Sequence, residues 1–235
     1  MIESRNICKS FGQHPVLENV SFRIEKGESV VIIGRSGCGK SVMLKHIVGL
    51  LNPDSGDILF EGESLSSLSE RQLIRVRRKF GVLFQSAALF DSLTVAENVG
   101  FVLEREGRHT RKEIDDRVDE TLAMVELVGA RQKKPAELSG GMRKRVGLAR
   151  AIAYRPEIVL YDEPTTGLDP VVSDSIDKLV MRINEQLDVT TIAVTHDMRS
   201  ARRIGKRILM LHQKSVYLDG TSDEAFASED PGGHQ

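Results

Sequence analysis

The chain has no tryptophan and only two cysteines, Cys8 and Cys38, among its 235 residues. Two thiols cannot build a disulfide framework, so a stapled secreted scaffold is excluded and a reducing compartment fits. No apolar run approaches the roughly 18–20 residues that a bilayer span needs. The opening Met1-Ile2-Glu3-Ser4-Arg5-Asn6 shows no signal-peptide h-region. Any membrane pathway is therefore expected on another polypeptide. An excess of one charge is missing too. The formal net charge is −1, which argues against nucleic-acid binding through the whole surface. Basic clusters stand at Arg75-Val76-Arg77-Arg78-Lys79 and Arg143-Lys144-Arg145. Both fall on expected helices, and for the first a solvated face is the simpler reading. The length allows one sizeable core, and no internal repeat is visible.

What is present is a phosphate-binding pattern. Gly34-Arg35-Ser36-Gly37-Cys38-Gly39-Lys40-Ser41 fits G-x-x-x-x-G-K-S/T. A triphosphate concentrates negative charge in a small volume, so it needs many converging donors. Glycines let successive N–H groups turn inward. Lys40 brings a full charge and Ser41 a hydroxyl suited to Mg²⁺. The helix that follows, starting near Lys40 and carrying Val42, adds its positive dipole end. The flanks agree: Ser29-Val30-Val31-Ile32-Ile33 reads as a buried parallel strand. Val42, Met43, Leu44, Ile47, Val48 and Leu51 recur at helical spacing.

A second buried strand, Ile158-Val159-Leu160-Tyr161, ends in Asp162 and Glu163. Ligands bind at that end of strands in open α/β sheets, and packing alone does not place paired acids there. Asp162 suits the Mg²⁺ shell and Glu163 suits a general base that polarises water. Leu138-Ser139-Gly140-Gly141-Met142 opens another helix, whose Val146, Ala149 and Ile152 lie on one side and basic residues on the other. Ser139, Gly140 and Gly141 thus form a second anion site at a helix start. One chain needs a single cradle, so a second one points to a shared nucleotide.

Strands are expected near residues 3–9 and 19–25, at Asp57–Phe60 and at Phe80–Phe84. Ser69 and Gln72, and Thr110 and Glu113, have capping-box spacing. Thr94–Glu106 looks helical, and Ile114, Val118, Leu122 and Val125 give the next helix an apolar stripe. Beyond it strands and helices alternate, as a parallel sheet demands. The expected organisation is one domain over residues 1–228, with a helical subdomain inserted at about 86–155 and a flexible tail at 229–235.

These motifs, in this order over roughly residues 2 to 225, resemble the ATP-binding cassette (ABC) ATPases. The resemblance implies an α/β P-loop fold with a mainly parallel core sheet, an N-terminal antiparallel β-subdomain and a helical subdomain. It implies that ATP and Mg²⁺ are bound and ATP is hydrolysed. Phe11, in Ser10-Phe11-Gly12, matches the adenine-stacking aromatic, although an ordinary half-buried ring would look the same. Gln85 matches the Q-loop glutamine that touches Mg²⁺ and water. Leu138 to Met142 matches the signature motif, with Met142 where glutamine is usual. Gly167-Leu168-Asp169 matches the D-loop; Asp169 before Pro170 also suits a helix N-cap. His196, after the apolar strand Thr191-Ile192-Ala193-Val194, matches the switch histidine that contacts the γ-phosphate.

The resemblance further implies a homodimer with ATP at its interface and a polytopic permease docking near Gln85–Leu93. Ser86-Ala87-Ala88-Leu89-Phe90-Asp91-Ser92-Leu93 is apolar for a connecting loop, which suits either a satellite core or a partner's helix. That segment and the Met-ending signature are similar to the Mla-type ATPases. They imply phospholipid transport from the cytoplasmic face of the bacterial inner membrane, with a lipid-binding accessory protein and no nucleic-acid partner. An ATPase of an amino-acid or other polar-solute importer is the alternative. A soluble cassette in DNA repair or translation is disfavoured, since no coiled-coil insertion and no second cassette is visible. Some family members extend at the C-terminus towards the other protomer; here little sequence follows Phe226.

Overall fold

Alternating apolar residues build the first sheet. In the computed structural model, which describes residues 1–227, strand β1 (Ile2–Phe11) buries Ile2, Ser4 and Ile7, and β2 (His14–Ile24) buries Leu17, Val20, Phe22 and Ile24. The spacing slips from two to three where the pairing shifts register. Asn6 and Asn19 take left-handed φ values of 48° and 52° beside these slips. Asparagine tolerates that region, and the bulge returns the apolar residues to the same face. With β4 (Ser55–Phe60) and β5 (Glu63–Ser64), they form a fully antiparallel sheet in the order β2-β1-β4-β5. The strands expected near residues 3–9, 19–25 and 57–60 thus form, each longer than the sequence suggested. The tail expected at 229–235 lies outside the described residues.

Two compact units emerge. The first holds Met1–Arg77 and the described residues from Ile192 onward; the second holds Arg78–Thr191. In the first unit, β3 (Ser29–Ile33) runs parallel to β9 (Arg207–His212), and β10 (Ser215–Thr221) closes antiparallel on β9. Val30, Val31, Ile32 and Ile33 are all buried, as expected of a strand covered on both faces. Helix α1 (Lys40–Ile47) leaves the phosphate loop directly. Helix α2 (Glu70–Arg77) starts after Ser69, whose N–H and hydroxyl both donate to Gln72 Oε1. Strand β8 (Thr190–Thr195) is buried along its whole length.

The second unit pairs β6 (Phe80–Leu83) in parallel with β7 (Ile158–Asp162). Its helices are α3 (Val95–Glu106), α4 (Arg111–Met124), α5 (Gly140–Ile152) and α6 (Pro170–Leu187), of which α3, α4 and α5 pack on one another. Complete capping boxes start two of them: Thr94 with Glu97, and Thr110 with Glu113. Each such cap is worth on the order of 1 kcal/mol. The expected stripe Ile114, Val118, Leu122 and Val125 is buried throughout. The first unit closes with α7 (Met198–Ile204) and α8 (Ser222–Ala227).

Candidate functional site

The phosphate loop follows β3 and ends at Gly39, the N-cap of α1, with φ 100°. Lys40 is buried, and its Nζ donates to the carbonyls of Gly34 at 2.7 Å and Arg35 at 3.1 Å. The ammonium is therefore drawn inside the loop, where a phosphate would also sit. The turn is tight: a Cβ on Gly34 would lie 2.6 Å from the carbonyl oxygen of Leu211, so no other residue fits there unshifted. Gly34 and Gly39 are buried, while Arg35, Ser36 and Gly37 are exposed and Cys38, Ser41 and Val42 are half-buried. Positive charge, a hydroxyl and the start of a helix converge on one spot, which is the chemistry a Mg²⁺-bound phosphate requires.

Two further candidates belong to the same unit. Phe11 ends β1 with its ring 50% exposed and Lys9 Nζ 5.7 Å from its centroid. An exposed ring face suits stacking against a base. His196 is exposed directly after β8, and Asp197 next to it caps α7 by accepting from Arg199 N.

The second unit holds the remaining candidates. Asp162 is half-buried at the end of β7. Glu163, only 8% exposed, adopts a left-handed φ of 51°. For a glutamate that conformation costs roughly 1–2 kcal/mol. Thr166 holds the turn, its Oγ1 donating to Glu163 Oε2 at 2.9 Å and its N–H to Glu163 O at 3.3 Å. Gln85 is exposed just beyond β6. Ser139 is the N-cap of α5, accepting from Met142 N at 3.3 Å. Its Oγ accepts in this contact, so its own O–H remains able to donate. Gly141 lets Val172 approach, since a Cβ there would lie 2.6 Å from Val172 Cγ1. Asp169 caps α6 through Val171 N and Val172 N, both at 3.0 Å, as its position before Pro170 predicts.

The basic residues expected on one side of α5 divide, with Arg143 exposed, Arg145 half-buried and Lys144 buried. Lys144 is 5% exposed, and its Nζ donates to Gln85 O at 2.5 Å and Glu163 O at 3.0 Å. Burial lowers its pKa below the usual lysine value, and the nearby Asp162 and Glu163 act in the opposite direction. Arg145 reaches Val125 O, Glu126 Oε2 and Ser175 Oγ. The helical period put these cations opposite Val146, but neighbouring segments cover both faces of α5. The small and apolar run Val146 to Ala149, which leaves the helix little polar surface beyond its cations, is the sequence signal that pointed to Lys144, and the three adjacent cations masked it.

Comparison with known proteins follows these features closely. The ABC transporter family matches residues 17–166. The "Probable ribonucleotide transport ATP-binding protein mkl" of Mycobacterium tuberculosis is 43% identical over 230 residues, 98% of this chain; the chain spans 64% of that protein's length. The "Intermembrane phospholipid transport system ATP-binding protein MlaF" of Haemophilus influenzae is 38% identical over 230 residues, covering 98% of this chain and 87% of MlaF. Among solved structures, the dimeric post-hydrolysis state of the ATP-binding cassette MJ0796, bound to ADP and Pi, superposes with a TM-score of 0.86. It is 36% identical and covers 94% of this chain and 99% of MJ0796. With its antiparallel N-terminal sheet, its parallel strand pairs and its phosphate loop, the chain belongs to the ABC transporter family, as an ATP-binding domain with the α/β cassette fold.

Proposed function

We propose that the chain hydrolyses ATP to ADP and phosphate and powers the transport of phospholipid, or a related hydrophobic compound, across or from the bacterial inner membrane. One observation carries the hydrolytic reading. Glu163 stands in a strained turn at the end of β7, with its carboxylate fixed by Thr166. Strain of this kind persists where the surroundings over-determine it, and it clusters at working sites.

The roles are those that the family resemblance and the chemistry of each group together support. The backbone N–H groups of Gly34 through Ser41, with Val42 in the first turn of α1, cradle the phosphates, and Phe11 stacks on adenine. Lys40 and His196 stabilise charge on the outer phosphates. Ser41, Gln85 and Asp162 hold Mg²⁺, which when bound neutralises phosphate charge. Glu163 orients and deprotonates the attacking water. Ser139, Gly140 and Gly141 bind the nucleotide of a second protomer, so that two copies close head to tail on two ATP molecules. The dimeric MJ0796 cassette supports that assembly.

A polytopic permease docks near Gln85–Leu93 and a lipid-binding accessory protein completes the system, with the chain peripheral on the cytoplasmic face. Among the described residues no helix is long and apolar enough to cross a membrane, which suits a subunit that relies on a partner for the pathway. The phospholipid cargo is supported by the printed function of MlaF. The ribonucleotide named for the mycobacterial relative favours the second reading, an importer of a polar solute. Deleting the gene decides between them. Sensitivity to detergent or solvent with altered outer-leaflet phospholipid is expected; an intact envelope combined with failed uptake of a polar solute would overturn the lipid reading.

A further inference from the structure

Three residues of α5 fasten the loop that follows Gln85. Lys144 Nζ donates to Gln85 O. One turn on, Gly147 admits the loop itself: a Cβ there would lie 2.8 Å from Leu83 Cδ1 and 3.0 Å from Ala87 Cβ. A further turn on, Arg150 donates through Nη2 to Ala87 O at 2.8 Å and through Nη1 to Ala88 O at 2.7 Å, with its guanidinium 5.9 Å from the Phe90 centroid. Positions three apart share a helix face, so one face of α5 grips the segment from Gln85 to Phe90. The gripped backbone is unusual, for Ala87 and Ala88 both take left-handed φ values, 60° and 46°.

Lys144 does one thing more than the other two. Its ammonium also binds Glu163 O, the carbonyl of another left-handed residue. Burying a cation is costly, and an apolar side chain of the same length would fill the space at less expense. The cation makes sense if its task is to hold two particular carbonyls together. It carries three donors on one compact head, and two of them lock backbone segments that lie 78 positions apart in sequence, Gln85 and Glu163.

We infer that Lys144 is a positioning residue that ties the backbone of the docking loop to the backbone of Glu163, so that a shift of the loop is delivered to the carboxylate that handles water. This rests on the assignment of Glu163 as the hydrolytic base. Lys144 is held to two backbone carbonyls, those of Gln85 and Glu163. It acts by keeping Glu163 in its strained turn.

The test uses the full chain, with steady-state ATP hydrolysis, binding of a fluorescent ATP analogue, and thermal melting measured on each variant. Lys144→Met keeps length and apolar volume but removes both donors. Its kcat should fall at least ten-fold, with KM for ATP and analogue affinity within two-fold of the parent. Lys144→Arg can still reach both carbonyls and should return kcat to within three-fold. Parental turnover in Lys144→Met would overturn the inference. So would a loss of turnover that merely tracks loss of analogue binding and of melting temperature. Should Lys144→Met fail to fold, Lys144→Gln decides: its shorter amide reaches only one carbonyl, so lowered kcat at unchanged KM is expected and parental kcat overturns the claim. Glu163→Gln, run in parallel, separates the two failures. If that variant still turns over, the base assignment is wrong; if it is inactive while Lys144→Met is active, only the positioning role falls.

Discussion

The hydroxyl of Thr166 donates a 2.9 Å hydrogen bond to Oε2 of Glu163, three residues earlier in the same turn. A bond to an ionised group is worth about 1.5–3 kcal/mol, enough to fix one carboxylate oxygen while water is positioned. Thr166→Val keeps the shape and deletes the donor. Turnover should drop about ten-fold, since about 1.4 kcal/mol corresponds to one decade, with KM for ATP little changed. Glu163→Gln should go further, losing on the order of 10²-fold or more while still binding nucleotide. Parental turnover in Glu163→Gln would remove the proposed base.

Lys40 and Ser139 should fail separately and recover together. Lys40→Ala removes the ammonium that lies inside the phosphate loop, so that variant should neither bind nor turn over ATP. Ser139→Arg puts a bulky cation at the N-terminus of α5 and should bind ATP without hydrolysing it. If each site uses the phosphate loop of one protomer and the signature of the other, a mixed dimer contains one site free of both changes. An equimolar mixture should then recover about a quarter of parental activity, because half the dimers are mixed and each has one intact site. A mixture as inactive as its components would argue against the shared site.

The readable parts of this chain were those in which local residues alone dictate structure. The capping box at Thr110, the buried stripe of α4 and the strand-loop-helix at Gly34 formed where spacing put them. What remained hidden depended on distant backbone. Lys144 looked like one of three adjacent cations on the basic side of a helix, and only the arrival of Gln85 O and Glu163 O makes its burial tolerable. Asn98 was equally silent. Inside α3 it looks like a weak helix former, yet it is fully buried and joins the loop before it through four hydrogen bonds. It accepts from Phe90 N and donates to the carbonyls of Phe90, Leu93 and Thr94.

Asn98→Ala should therefore be costly for stability. Phe90 N and Leu93 O would lose these part-buried partners, and a buried polar group left unsatisfied costs about 1–3 kcal/mol. A net loss of about 2–3 kcal/mol is expected, which for a chain of this size lowers the melting temperature by about 4–12 °C. Calorimetry or a circular-dichroism melt would show it; an unchanged melting temperature would mean that water replaces the amide at no cost.

Phe90 offers the sharpest test of the proposed docking surface. The residue is 44% exposed, its ring tilted 39° against that of Phe101 with centroids 4.6 Å apart, and Arg105 and Arg150 lie near the two rings. Leu89 and Leu93 are half-buried and Ala87 is covered, so the outward apolar surface rests mainly on Phe90 and on Phe84, 39% exposed. Burying a whole phenylalanine side chain is worth about 1.5–3 kcal/mol, of which less than half is left for a partner to gain. Phe90→Asp forfeits that share and also forces a carboxylate into the contact. Affinity for a membrane partner should fall by more than ten-fold, because the desolvation cost adds to the lost burial. Co-purification of the tagged chain from detergent-solubilised membranes measures this directly, with the melting temperature as the control for folding. Undiminished recovery of the partner by folded Phe90→Asp would show that the permease does not dock on this segment.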